Sequence, residues 1–210
     1  MSKAEALRSR FILSPLPAAL PHPANGTGQP AAVLILLVER QNELFVLLTR
    51  RSLQLRHHAG QICFPGGKYD LVDGTLQQTA LRETYEDLGF TRDLIQIWGE
   101  LAVHNTVSGF AVTPFVAAVM PDYQLQVTTE EVAEVFELPL QPLLETANYG
   151  HWQVRRAGQT HTVIGCSVGH RLIWGATARI LFDLARHLNG SGSPTIHTEA
   201  TQSLINSPLI

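Results

Sequence analysis

The most informative part of the chain is residues 47–90, which read LLTRRSLQLRHHAGQICFPGGKYDLVDGTLQQTALRETYEDLGF. This segment combines basic side chains, a Phe-Pro-Gly-Gly turn and three closely spaced carboxylates. Thr75 followed by Gln78 has the form of a helix N-cap, and Gly89 stands where a helix typically ends in a left-handed residue. The pattern therefore predicts a helix over residues 76–88.

On that helix, Glu86 and Asp87 lie three and four residues after Glu83, so the three carboxylates occupy neighbouring positions. Like charges at this spacing repel unless a positive charge lies between them. Arg82 is one source of that charge and would make the cluster an ordinary solvated face. A divalent cation is the other source, because Mg²⁺ and Mn²⁺ prefer hard oxygen ligands. Spacing alone leaves both interpretations open.

The turn Pro65-Gly66-Gly67 precedes the acidic helix by a short loop. Its two glycines carry no side chain that would keep a phosphate or a metal ion away from the backbone. In isolation the motif would be only a turn after a short strand at residues 61–64. Its closeness to the acidic helix favours a role in binding.

Residues 67–90 resemble the Nudix box, whose general form is GX5EX7REUXEEXGU, where U is a bulky apolar residue. The second half of the box matches residues 82–90, with Thr84 in place of an aliphatic residue and Asp87 in place of the second Glu. In the first half, Gly67 and Asp73 stand one position earlier than the general pattern requires. A loop one residue longer explains this shift and is typical of the coenzyme A (CoA) diphosphatase branch.

That branch has a second motif upstream, of the form LLTxRSx3Rx3Gx3FPGG. The matching positions are Leu47, Leu48, Thr49, Arg51, Ser52, Arg56, Gly60 and residues 64–67. The combined match covers residues 47–90 and indicates the branch, whereas a Nudix box alone indicates only the superfamily.

The resemblance implies an active site built on the acidic helix. Glu83, Glu86 and Asp87 are the expected ligands of Mg²⁺ or Mn²⁺, and Asp87 is the least secure because it is one methylene shorter than Glu. Arg82 is expected to orient a carboxylate by ion pairing. Glu131, from a distant loop, is a candidate general base or additional ligand, and the alternative is an exposed loop acid.

The resemblance also implies a substrate site. Its expected residues are Arg51, Arg56, Gly66, Gly67 and Lys68. The cations among them suit the phosphate groups of CoA, including its 3′-phosphate. Structural ion pairs of Arg51 and Arg56 with Asp70 or Asp73 are an equal alternative.

The function implied is metal-dependent hydrolysis of the pyrophosphate of CoA or acyl-CoA, giving 3′,5′-ADP and 4′-phosphopantetheine or its acyl form. One alternative is a Nudix pyrophosphatase for ADP-ribose, dinucleotides or damaged nucleotides. Another is a Nudix-fold module that binds a ligand without hydrolysing it. The fold implied is the Nudix α/β/α sandwich around a mixed β-sheet.

The rest of the chain independently predicts the same α/β class. The predicted strands are residues 31–39, 44–49, 94–103, 111–120, 123–127, 152–156, 160–168 and 171–174, and the predicted helices are residues 3–13 and 176–188, with a helix or turn at 129–136. We expect a helix and Pro-rich lead-in over residues 1–30, a catalytic domain over residues 31–188 and a tail over residues 189–210.

Composition and charge limit the kinds of partner that we expect for this protein. The 210 residues carry a formal net charge of -3, which argues against a nucleic-acid-binding protein with a broad basic surface. The sequence has no long apolar run and no recognisable signal peptide, so we expect a cytoplasmic protein without a membrane partner. Cys63 and Cys166 are expected to be reduced thiols rather than a disulfide. The expected partner is a small molecule, and a homodimer is left open.

Overall fold

The computed structural model describes residues 2–14, 28–55, 58–128, 130–156, 159–189 and 195–196. The helices are α1 (Lys3–Leu13), α2 (Leu76–Leu88), α3 (Leu140–Leu144) and α4 (Ala176–Asn189). The strands are β1 (Gln29–Arg40), β2 (Glu43–Arg51), β3 (Ile62–Cys63), β4 (Gly66–Lys68), β5 (Ile95–Glu100), β6 (His104–Asn105), β7 (Phe110–Val119), β8 (Val132–Pro139), β9 (Tyr149–Arg156), β10 (Gln159–Val168), β11 (Arg171–Trp174) and β12 (Thr195–Ile196).

The central sheet is built around β1, which is buried along most of its length. Its main strand order is β3-β2-β1-β7-β5, while β4 pairs with β1, β6 with β7 and β8 with β2. The β1–β7 pair is parallel, and the other pairs in this sheet are antiparallel. The predicted mixed sheet is therefore confirmed.

Side chains alternate across β1 and divide the core into two clusters. Leu34 and Leu36 lie in the cluster that contains the buried side chains of α2. Ile35 and Leu37 lie in the cluster that contains side chains of α1, α3 and α4. Helices therefore cover both faces of the sheet, which is the predicted α/β/α arrangement.

A second sheet, in the order β11-β10-β9-β12, lies on the side of α4. Tyr149, Ile164 and Ile173 from this sheet belong to the same buried cluster as α4. The Tyr149 ring packs edge-on against Phe182, with centroids 5.3 Å apart, and its hydroxyl donates to the Leu143 carbonyl at 2.7 Å. This packing joins the second sheet to the apolar face of the central sheet.

Helix α1 packs on the same apolar face through Leu7 and Phe11, which are both buried. The helix begins with a capping box formed by Ser2 and Glu5. Nε2 of the buried His187 lies 2.8 Å from the Phe11 carbonyl oxygen. Contacts between α1 and α4 thus cover part of the face opposite α2.

The structure corrects two sequence predictions. Residues 129–136, predicted as a helix or turn, contain most of strand β8, which pairs with the edge of β2. Residues 123–127, predicted as a strand, have no strand pairing, and the Gln126 amide instead donates to the Leu88 carbonyl at the end of α2. Both errors arise from long-range partners that a local pattern does not contain.

The short connection between the predicted strands 31–39 and 44–49 and the reduced state of the two cysteines follow the sequence predictions. The β1–β2 hairpin turns at Gln41 and Asn42, whose φ angles of 48° and 61° suit the tight turn that matches strand twist. Cys63 and Cys166 are both free thiols. Within the described ranges, no helix is long and apolar enough to cross a membrane.

Candidate active site

Helix α2 has the predicted limits because both of its ends are satisfied locally. The Thr75 hydroxyl accepts the Gln78 amide at 3.2 Å at the N-terminus. Gly89 follows the last residue with a φ of 76°, and its amide donates to the Tyr85 carbonyl. Thr84, which departs from the Nudix box, is buried, and its hydroxyl donates to the Ala80 carbonyl at 2.7 Å. That bond satisfies the polar group within the apolar face.

The two glycines of the turn bring its backbone against the acidic helix. Gly66 has a φ of 151°, and a Cβ there would lie 2.4 Å from the Ala32 carbonyl oxygen. A Cβ on Gly67 would lie 2.4 Å from Cδ of Glu83. The Gly66 amide lowers the pKa of Asp87, in opposition to burial. Glycine is therefore required at position 66 for the turn to pack against β1, and at position 67 for the Glu83 carboxylate to meet the turn.

Arg82 joins the acidic residues of the loop and the helix. Its Nε lies 2.7 Å from the Asp73 carboxylate, and its Nη1 lies 2.9 Å from both Glu83 and Glu86. Its Nη2 also donates to the Lys68 carbonyl at 3.1 Å. These bonds confirm the ion pair with Glu86 that spacing allowed and show that Arg82 serves three carboxylates at once.

Asp73 is a part of this arrangement that the sequence assigned to no site role. Its side chain is only 3% exposed and also accepts from the Thr79 hydroxyl and the Asp70 amide. The Arg82 guanidinium holds the pKa of Asp73 well below its usual range, and the other two donors add to this effect. The signal for its role was its position as the displaced first acid of the Nudix box.

For Asp87 and Glu83 the surroundings raise the pKa of the carboxyl group, which is the opposite of the effect on Asp73. Burial raises the pKa of Asp87 to about 6, and the charges of Glu83 and Glu131 add to that rise. Burial also raises the pKa of Glu83, although Arg82 opposes the shift. The charge of Glu131 acts on both groups, so the structure brings this distant loop acid to the same site. Glu131 itself is exposed.

The chemistry of these acids suits a divalent cation. Within the described ranges, no three acidic, histidine or cysteine side chains already converge as a metal cluster. Arg82 bonds one oxygen of Glu83 and one of Glu86. The charge of Glu83 raises the free-energy cost of ionising the partly buried Asp87 carboxyl group, and a hard cation would relieve that repulsion. The donor set therefore fits Mg²⁺ or Mn²⁺.

The two adjacent arginines at the end of β2, Arg50 and Arg51, lie on opposite faces of the central sheet. Leu47 lies in the α2-facing cluster and Leu48 in the opposite one, so Arg51 shares the α2 face and Arg50 does not. The charge of Arg51 lowers the pKa of both the Cys63 thiol and the Asp87 carboxyl group, in opposition to burial. Arg50 instead lies 3.6 Å from Glu134, which also pairs with Arg171 at 2.5 Å. The expected substrate residue Arg51 is therefore beside the acids.

The other expected substrate residues are placed differently. The Lys68 ammonium lies 5.5 Å from the centre of the Phe110 ring, and Lys68 pairs with Ala31, whose side chain is in the cluster on the side of α4. The structure brings the Lys68 carbonyl to Arg82 but does not bring the Lys68 side chain to the acids. Arg56 lies outside the described residues.

Comparison with known proteins agrees with this geometry. The NUDIX domain family model matches residues 28–157. The chain belongs to the Nudix hydrolase family and is an enzyme of the class that cleaves pyrophosphate bonds.

Two similar proteins are named "Uncharacterized Nudix hydrolase NudL". The one from Enterobacter sp. (strain 638) is 41% identical over 155 residues, which cover 74% of this chain and 80% of the relative. The one from Yersinia enterocolitica is 43% identical over 159 residues, which cover 76% and 81%. Among solved structures, a C. elegans Ap4A hydrolase binary complex matches with a TM-score of 0.48 and 19% identity, over 56% of this chain and 84% of that one.

Proposed function

We propose that the protein hydrolyses the pyrophosphate of CoA or acyl-CoA in a divalent-metal-dependent reaction. Water is added across the phosphoric anhydride, and the products are 3′,5′-ADP and 4′-phosphopantetheine or its acyl form. The observation that carries this proposal is that the charges of Glu83, Glu131 and Arg51 all act on the partly buried Asp87 carboxyl group, while Glu83 packs against the Gly67 backbone of the glycine turn. The acids account for the reaction, and the segment around Arg51 accounts for the substrate.

In this mechanism Glu83, Glu86 and Asp87 would hold Mg²⁺ or Mn²⁺. The metal supplies positive charge that neutralises the pyrophosphate oxygens and favours ionisation of the attacking water. Arg82 fixes the orientation of Glu83 and Glu86 through its paired hydrogen bonds. Glu131 accepts the proton of the attacking water, because it is an exposed carboxylate close to the other acids.

The substrate assignment is supported by how the upstream motif is placed. Arg51 is positioned to pair with a phosphate beside the metal site, and its Nε is buried with no hydrogen-bond partner among the described residues. Gly66 and Gly67 let a phosphate approach their backbone. Arg56 and the Lys68 ammonium are proposed to meet the outer phosphates of CoA, among them the 3′-phosphate.

A substrate panel tests the proposal. Purified protein is given CoA, acetyl-CoA, ADP-ribose, NADH, diadenosine tetraphosphate and nucleoside triphosphates with Mg²⁺ or Mn²⁺, and the products are identified by mass spectrometry. We expect CoA or its thioester to give the highest kcat/KM and to yield 3′,5′-ADP. Turnover of ADP-ribose, dinucleotides or other nucleotides without turnover of CoA or its thioesters would assign the general Nudix pyrophosphatase function. Ligand binding without any turnover would assign a binding module.

We also propose that the catalytic domain covers residues 31–188, with residues 1–30 before it and the tail from residue 189 after it. Helix α4 belongs in this unit because Leu181 and Leu184 are completely buried in the core. The β9–β11 sheet belongs with it through Tyr149 and Ile173, which are also completely buried. A variant that lacks residues 1–13 tests whether α1 contributes only stability, in which case kcat/KM is retained.

A further inference from the structure

The C-terminal end of α2 is capped by a segment that leads directly to Glu131. The last four carbonyls of a helix have no partner within the helix. Here the Tyr85 carbonyl accepts the Gly89 amide, the Glu86 carbonyl accepts the Thr128 hydroxyl, and the Asp87 carbonyl accepts the Thr128 amide at 3.1 Å. The Leu88 carbonyl accepts the Gln126 amide at 2.9 Å. Thr128 therefore satisfies two of the four carbonyls, and both belong to proposed metal ligands.

The same residue also starts the turn that carries Glu131. The Thr128 carbonyl accepts the amides of Glu131 and Val132 at 3.2 and 3.0 Å. The Glu131 carbonyl in turn accepts the Ser52 amide at 2.8 Å, which attaches the loop to the end of β2. A continuous path of hydrogen bonds thus runs from the backbone of α2 through Thr128 to Glu131 and on to the residue after Arg51.

We propose that Thr128 is a positioning residue, which fixes the carboxylate of Glu131 relative to Glu83 and Asp87 by anchoring the loop to the end of α2. The inference rests on the proposed function, in which Glu131 accepts the proton of the attacking water. Glu131 is exposed and lies outside the acidic helix. Its backbone is connected to that helix through the hydrogen bonds of Thr128. Small errors in the placement of a reacting group reduce rates strongly, by about 100-fold for roughly 1 Å.

The test compares variants of Thr128 with a matched control. Thr128→Val removes the hydroxyl and keeps both the shape and the backbone amide, whereas Thr128→Ser keeps the hydroxyl. We expect Thr128→Val to lower kcat roughly tenfold with little change in KM, and Thr128→Ser to retain most of the wild-type rate. Thr106→Val is the control, because the Thr106 hydroxyl donates to the Phe110 carbonyl in a different loop. It should leave kcat unchanged.

A double-mutant cycle separates positioning from simple stabilisation. If Thr128 acts through Glu131, Thr128→Val should have almost no effect on kcat in the Glu131→Gln background. The proposal would be overturned if Thr128→Val lowered kcat equally in the wild-type and Glu131→Gln backgrounds. It would also be overturned if Thr128→Val did not lower kcat in the wild-type background.

Amide hydrogen exchange gives a readout that does not depend on turnover. In Thr128→Val, exchange at Ser52, Glu131 and Val132 should become several-fold faster, while exchange in β10 stays unchanged. Unchanged exchange at these three amides would also overturn the proposal. If the wild-type protein cleaved no pyrophosphate substrate, the proposed function would fail by itself, and hydrogen exchange would still decide whether Thr128 anchors the loop.

Discussion

Asp73 and Asp87 lie beside the same helix but in opposite electrostatic surroundings. Asp73, near the start of α2, bonds the Arg82 guanidinium, and its pKa is lowered. Asp87, near the end of α2, is partly buried beside Glu83 and Glu131, and its pKa is raised to about 6. The first carboxylate stabilises the fold. Ionising the Asp87 carboxyl group costs free energy in these surroundings. Such a cost is expected of a carboxylate that binds a cation, and not of one in a structural ion pair.

The largest expected effect is on the acid that contacts both Arg82 and the glycine turn. Glu83→Gln keeps the shape of the side chain and removes its charge, so kcat should fall by about 1,000-fold or more, equivalent to about 4 kcal/mol of activation free energy. Steady-state kinetics with CoA and circular dichroism measure turnover and fold. Glu43→Gln, at the exposed first residue of β2, is the matched control. Near-normal turnover of Glu83→Gln would remove Glu83 from the site.

The structural acid should affect stability more than chemistry. Asp73→Asn breaks a buried, charged hydrogen-bond set, and we expect it to lower the free energy of unfolding by about 2–4 kcal/mol. Because the pKa of Asp73 is lowered from its ordinary 3.8, its stabilising effect is present above that pH and is lost as the pH falls further. Urea unfolding at pH 7 and in acid measures this. Exposed Asp122→Asn should change stability little, and equal effects of the two variants would contradict the assignment.

Asp87 should show the opposite dependence on pH in metal-free protein. Its folded pKa of about 6 exceeds the ordinary 3.8, so folding takes up a proton between these values and stability falls as the pH rises through that range. Asp87→Asn should therefore stabilise the chelator-treated protein at pH 7 by about 1–2 kcal/mol, while it lowers turnover. Thermal unfolding of wild type and Asp87→Asn with a chelator at pH 4, 5, 6 and 7 tests this. If stability changed with pH equally in the two proteins, the raised pKa of Asp87 would be contradicted.

The smallest effect distinguishes the two adjacent arginines. Arg51→Met should raise KM for CoA about tenfold, about 1.4 kcal/mol, because Arg51 shares the face of the acids. Arg50→Met should change KM by less than about twofold, since Arg50 pairs with Glu134 on the other face. Measuring both variants with CoA and with ADP-ribose shows whether Arg51 contributes to selectivity. Equal changes for Arg50→Met and Arg51→Met would contradict the separation by β2.

The acidic helix could be predicted in detail because its signals are local. Thr75 and Gly89 define its ends, and the positions of Glu83 and Asp87 follow from helical geometry. Strand β8 could not be recognised in this way, because Glu134 and Glu137 give its sequence a helical character. Their ion pairs with Arg50, Arg171 and Arg40 come from distant parts of the chain.

The site shows the same division between local and distant information. The resemblance indicates Glu131 as a candidate, but its closeness to Asp87 depends on the capping of α2 by Gln126 and Thr128. Gln126 belongs to the segment 123–127, which the local pattern predicts as a strand. The separation of Arg50 from Arg51 needed the register of β2 against β1. The Lys68 side chain was expected near the substrate because of its place in the segment. Its strand position places its ammonium 5.5 Å from the centre of the Phe110 ring, a contact that the local pattern does not contain.

Manganese binding is the most direct test of the central claim, which is that the acids of α2 form a divalent-metal site. Electron paramagnetic resonance of Mn²⁺ titrated into wild type, Glu83→Gln, Asp87→Asn and Glu43→Gln measures affinity without turnover. We expect wild type and Glu43→Gln to bind equally, and the two α2 variants to bind at least about tenfold more weakly. Absence of Mn²⁺ binding to wild type, or equal affinity in all four proteins, would contradict the account.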